Sequence, residues 1–97
     1  EKALIYTLLN LGHVYQVMGE YHKSEDYCLR GVEVGKHCMS NDNDLRYHET
    51  MIWAKLGELY IQMKKWQEAE MYITKCIQRY PNDQFLQSLL ERAKQGE

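Results

Sequence analysis

The chain has 97 residues, 44% of them hydrophobic, and a formal net charge of −2. That length fits one small domain with a core, and the charge gives no electrostatic support to non-specific binding of nucleic acid or an anionic membrane surface. No apolar run approaches the ~20 residues of a membrane-spanning helix, no signal-peptide layout opens the chain, and one proline with six glycines argues against disorder.

Residues 3–18 read as a first helix. Leu4, Leu8, Leu11, Tyr15 and Met18 form an apolar face, with Ile5 and Leu9 to one side and Ala3, Val14 and Val17 to the other. Thr7, Asn10, His13 and Gln16 interrupt that circuit, so the helix is apolar nearly all round and needs cover on more than one side. Met18-Gly19-Glu20-Tyr21 is a turn, with Gly19 as helix C-cap. A second helix runs from Tyr21 or His22 to about Cys38. Its Ser24 is small, and the hydroxyl is expected to bond a carbonyl one turn earlier. The next loop is placed at Ser40-Asn41-Asp42-Asn43, with Asn43 or Asp44 as N-cap.

The third helix is predicted from Leu45 to Met63, roughly 28 Å at 1.5 Å per residue. Trp53, Leu56, Gly57 and Tyr60 repeat the spacing of Leu8, Leu11, Gly12 and Tyr15, 45 residues later. Gly57 costs its helix about 1 kcal/mol relative to alanine. That cost is explained if another helix comes close there, and Ala69 is small enough to meet it. Met63-Lys64-Lys65-Trp66 is the matching turn, with Trp66 packing at the top of the helix pair. The fourth helix carries Tyr72, Ile73, Cys76 and Ile77 on one stripe and ends near Tyr80, because Pro81 cannot continue it. Asn82 or Asp83 then caps a last helix, about Gln84 to Gln95. Its apolar stripe is Phe85, Leu86, Leu89, Leu90 and Ala93; Gln84, Gln87, Ser88, Glu91 and Lys94 lie off it.

The run Trp53-x-x-Leu56-Gly57-x-x-Tyr60, Ala69-x-x-x-Ile73, Cys76 and Pro81 resembles the tetratricopeptide repeat, a helix-turn-helix unit of ~34 residues. Leu8, Leu11, Gly12, Tyr15, Ser24, Cys28 and Gly31 make a degenerate second copy. The longer 45-residue offset, with a long third helix, is similar to the repeats of kinesin light chain and of certain cell-polarity and receptor-clustering adaptors. The resemblance implies an all-α fold of antiparallel helix-turn-helix repeats, an α-solenoid fragment, as a single domain over 1–97. Repeat one spans 3–38, a loop 39–44, repeat two 45–81 and a capping helix 83–95.

The resemblance further implies a non-catalytic protein-protein interaction scaffold, without cofactor or metal, that takes a peptide or protein segment in a concave groove. The first helix of each repeat lines that groove. Its candidate partner-binding residues are Tyr6, Leu9, Asn10, His13 and Val17 from the first copy, and Met51, Ala54, Lys55, Glu58, Ile61 and Gln62 from the second. Asn10 and Lys55 match a chaperone-tail carboxylate clamp, but Met51, His13 and Glu58 depart from it, and Glu58 would repel a carboxylate. Two alternatives remain open. One is a regulatory or targeting module of a larger enzyme whose active site lies outside this stretch. The other is an RNA-binding helical repeat, which would need a basic groove. The all-round apolar first helix and the polar closing helix place the chain at the C-terminal end of a longer array, with preceding repeats or self-association at the first helix.

Motifs for other chemistry fail on spacing. Gly31-Val32-Glu33-Val34-Gly35-Lys36-His37 has three residues between its glycines where a phosphate loop needs four, and histidine where it needs Ser or Thr. His13, His22, His37 and His48 are scattered, without the paired spacing of a zinc site. Asn41-Asp42-Asn43-Asp44 lacks the glycine and terminal glutamate of a calcium loop. Cys28, Cys38 and Cys76 are odd in number and widely spaced, which reads as free thiols in a reducing intracellular compartment, cytoplasmic or nuclear.

Overall fold

The computed structural model describes residues 2–37 and 43–96, with side chains over 3–36 and 46–96. Among these, five helices follow in order: α1 (Lys2–Val17), α2 (Tyr21–His37), α3 (Asn43–Gln62), α4 (Trp66–Arg79) and α5 (Gln84–Gln95). The fold is all-α, as the 3.6-residue periodicity requires. Helix α3 begins two residues before the expected Leu45, at Asn43, which the expected loop had included; residues 40–42 of that loop and the side chains of Asn43 and Asp44 fall outside the described residues.

Helices α1 and α2 pair, α3 and α4 pair, and α5 packs on α4 and α3. Helix α3 also packs on α1 and α2, so α1, α3 and α5 stack as an inner layer. Among the described residues α2 and α4 do not pack on each other. The inner helices are therefore joined to one another directly, whereas the outer ones meet only through α3.

Each pair closes on a glycine. A Cβ added to Gly57 would stand 2.5 Å from Cγ1 of Ile73 and 3.7 Å from the Ala69 carbonyl oxygen. At Gly12 it would stand 2.6 Å from the Cys28 Sγ and 3.6 Å from the Ser24 carbonyl oxygen. The two repeats thus use the same register, with Ile73 in the place of Cys28 and Ala69 in that of Ser24. The Ser24 hydroxyl does not bond back within its own helix as expected. It donates across the pair to the Gly12 carbonyl oxygen at 2.6 Å, because the missing Cβ leaves that carbonyl within reach.

Both first helices end alike. The N–H of Gly19 donates to the Gln16 carbonyl and that of Glu20 to the Tyr15 carbonyl. The pairs Lys64 to Ile61 and Lys65 to Tyr60 repeat the pattern. This is the Schellman motif, whose turn residue is left-handed: Gly19 has φ 80° and Lys64 has φ 61°. Helix α5 starts on Asp83, whose side chain accepts from the Leu86 N–H at 3.1 Å, and Cys28 and Cys76 are free and buried.

The phosphate-loop look-alike is continuous helix within α2. Its glycines seat α3: an added Cβ would stand 2.5 Å from Cδ1 of Ile52 at Gly31, and would meet the Glu49 carboxylate at Gly35. Two apolar assignments change. Helix α1 buries Ile5, Leu8 and Gly12 rather than the whole expected face, leaving Leu4 and Met18 exposed. In α5, Leu86, Leu89 and Ala93 are buried but Phe85 is 59% exposed, because it lies one residue ahead of Leu86 and so about 100° round the helix.

Candidate functional site

The inner layer presents its side chains in a repeating register. Tyr6, Met51 and Phe85 each stand six residues before the glycine position of their helix, which is Gly12, Gly57 and, in α5, Glu91. All three are exposed large apolar residues. The Tyr6 ring meets His48 of α3 edge-on at 5.3 Å, one helical turn from Met51. Met51 and Phe85 share the walls of two adjoining clefts. One, of about 180 Å³, is lined further by Tyr47, Ala54, Tyr80 and Asp83. The other, of about 240 Å³, is completed by Ala54, Lys55 and Glu58. Ala54 opens both, since the first repeat has Leu9 in that register.

Beside this apolar ladder runs a polar seam between α1 and α3. The Lys55 ammonium donates to Nδ1 of His13 at 3.0 Å and to Oε1 of Glu58 at 3.3 Å. Lysine has only donors, so Nδ1 of His13 accepts and its ring N–H is on Nε2. The Gln16 amide donates to Oε1 of Glu58 at 3.3 Å and of Gln62 at 2.8 Å. Gln16 is buried, and no periodicity marks it, because a glutamine on an apolar helix reads as an interruption.

Of the sequence-derived residues, Tyr6, Asn10, His13, Val17, Met51 and Gln62 are exposed, and Ala54, Lys55 and Glu58 are half-buried on the same layer. Leu9 is partly buried against the core. Ile61 is corrected: only 4% exposed, it belongs to the core cluster with Leu89 and Ala93 of α5. It occupies the register of Gln16, the position that faces the next inner helix, so α5 covers it as α3 covers Gln16. Sequence reasoning missed Phe85 and Tyr47; the signal for Phe85 was its register with Tyr6 and Met51.

Lys55 is held by Glu58 and His13, so the ammonium that matches a carboxylate clamp is already neutralised in place. On the outer side, Tyr60 donates its hydroxyl to Glu25 at 2.7 Å; burial first, then the Glu25 carboxylate, raise its pKa above the ordinary phenol range. Burial pushes the Cys28 thiol up to about 11 and the Cys76 thiol up to about 12, so both are inert thiols at neutral pH. Among the described residues no group of three or more His, Cys, Asp or Glu could hold a metal ion, and no helix is long and apolar enough to cross a membrane.

A tetratricopeptide-repeat family model matches residues 4–37, and a second matches residues 52–83. The chain is a tetratricopeptide-repeat protein. Together the two matches cover about two thirds of it; the first coincides with the α1–α2 pair, and the second takes in the latter half of α3 and all of α4. Among curated proteins and among solved structures, nothing matches the chain significantly. Tetratricopeptide repeats are protein-protein interaction modules and are typically non-catalytic.

Proposed function

We propose that the concave face of α1, α3 and α5 holds a peptide or protein segment and that the chain acts as a non-catalytic scaffold. The ladder of Tyr6, Met51 and Phe85 carries this reading. Three exposed large apolar residues stand at one register of three successive helices, with Asn10 and Lys55 one turn further along α1 and α3. An apolar strip with placed polar groups is the composition of a recognition groove. Selection of peptides from a random displayed library tests it. Selected peptides should lose affinity with Tyr6→Ala or Asn10→Ala and keep it with Met71→Ala on α4. Loss confined to the α4 variant would place binding on the outer side and end the groove reading.

A second surface supports assembly. Leu59 is 0% exposed where α3 packs on the first repeat, whereas Val14, its register mate on α1, is 50% exposed, with Leu4 and Val17 open nearby. That comparison favours a further helical repeat on the outer face of α1. Sedimentation of the 97-residue chain tests it: association that Val14→Lys removes supports it, and a concentration-independent, cooperatively folded monomer refutes it.

A further inference from the structure

The spacing of the three rungs sets the conformation of what lies across them. Packed helix axes stand 8–10 Å apart. A chain crossing α1, α3 and α5 must therefore present an apolar side chain about every 8–10 Å. In polyproline II geometry, at 3.1 Å per residue, three residues span that distance, and three residues also complete one turn. Residues i, i+3 and i+6 then face the same side. In a β-strand the same spacing alternates faces, so every second rung would be missed. An α-helix needs six or seven residues per rung and satisfies its backbone internally. A polyproline II backbone keeps its N–H and C=O groups free, and Asn10, exposed one helical turn from Tyr6, is a side-chain amide able to pair with them.

Resting on the groove reading above, we propose that the ligand is an extended, polyproline II segment with an apolar side chain at every third residue. One such side chain enters the cleft between Met51 and Phe85. At about 180 Å³ that cleft is comparable to a cavity of ~150 Å³ that holds benzene, so it takes one Leu- or Phe-sized group. Charge narrows the positions between anchors. Lys55 and Glu58 at one cleft pair with each other and cancel, which leaves the Asp83 carboxylate at the other. Lys or Arg between the apolar residues complements that balance.

Three labelled synthetic peptides of equal composition test the proposal by fluorescence anisotropy. One carries leucine at every third position with proline and lysine between. One has its leucines at alternate positions. The last spaces them for a helix face. The period-three peptide should bind about tenfold tighter than the alternating one, since one buried leucine is worth at least that factor. Ala54→Leu, which places in the cleft the residue found at that register in the first repeat, should weaken it by a similar factor while helicity and melting temperature hold. Met51→Ala provides a second variant that cannot overfill the site. Tighter binding of the helix-face peptide through the same rungs would overturn the polyproline II inference and leave the groove standing. So would no binding by the period-three peptide at millimolar concentration. Binding indifferent to Tyr6→Ala, Met51→Ala and Phe85→Ala would overturn both.

Discussion

Replacing Gly57 by alanine should change sign with its surroundings. In a helix interior the exchange gains about 1 kcal/mol from propensity. Here the new methyl would stand 2.5 Å from Cγ1 of Ile73 and 3.1 Å from its Cδ1. Ile73 is fully buried, and the nearer atom is on its branched Cβ, held by a stiff χ1, rather than at a mobile tip. Overpacking of that kind costs typically 1–3 kcal/mol, so Gly57→Ala should be destabilising by about 0–2 kcal/mol net. With Ile73→Ala the obstructing atoms are gone, although the cavity itself costs about 2–5 kcal/mol. In that background Gly57→Ala should stabilise by up to about 1 kcal/mol. The coupling across the cycle is then of order 1–3 kcal/mol, beyond the scatter of independent sites. Urea unfolding of the four proteins in one stabilising osmolyte, followed by circular dichroism, measures it. Additivity, with Gly57→Ala equally favourable in both backgrounds, would refute the close approach of α3 and α4 at this residue.

Lys64 adopts φ 61° where the first repeat has Gly19; Lys64→Gly should raise stability by about 0.5–1 kcal/mol, and an unchanged or lowered melting temperature would contradict the left-handed turn. Asp83→Ala removes the bond to the Leu86 N–H and should cost about 1 kcal/mol, whereas Asp83→Asn should cost little, as asparagine caps equally well. The buried thiols make stability fall in alkali. Their folded pKa values lie above the ordinary 9.0, so the contribution is complete below pH 9 and is lost as pH rises towards 11 for Cys28 and 12 for Cys76; Cys28→Ala with Cys76→Ala should lessen the fall of the denaturation midpoint from pH 9, leaving the part above pH 10 that the raised Tyr60 and Tyr72 phenols contribute. Both thiols should also resist iodoacetamide in the folded protein at pH 8 and react on unfolding.

The helices and their pairing were legible because each rested on a local signal: Gly19 at a C-cap, Asp83 at an N-cap, Pro81 after a helix, and glycines where helices meet. What escaped was fixed between helices. Ile61 and Gln16 look like opposite kinds of residue, yet both sit under the next inner helix, and only the stacking of α5 and α3 shows it. Phe85 reads as core from hydrophobicity alone, but an offset of one residue from Leu86 turns it outward. Ser24 offered a local acceptor and took a distant one, because the approach to Gly12 is tighter than sequence spacing discloses.

Glu49 occupies an unusual station. Its carboxylate lies against Gly35 of α2 and accepts from Arg79 of α4 at 2.9 Å, although those two helices do not pack on each other. The outer layer is therefore joined, across α3, by a strut whose length is one side chain. In the groove proposed for the inner face, the bend follows how far that layer opens, so residues on the far side of the molecule bear on it. Shortening the strut, as in Glu49→Asp, or obstructing its seat, as in Gly35→Ala, would re-curve the surface without altering a single atom that lines it. Ligand preference in such an array can drift through its hinges as readily as through its contacts.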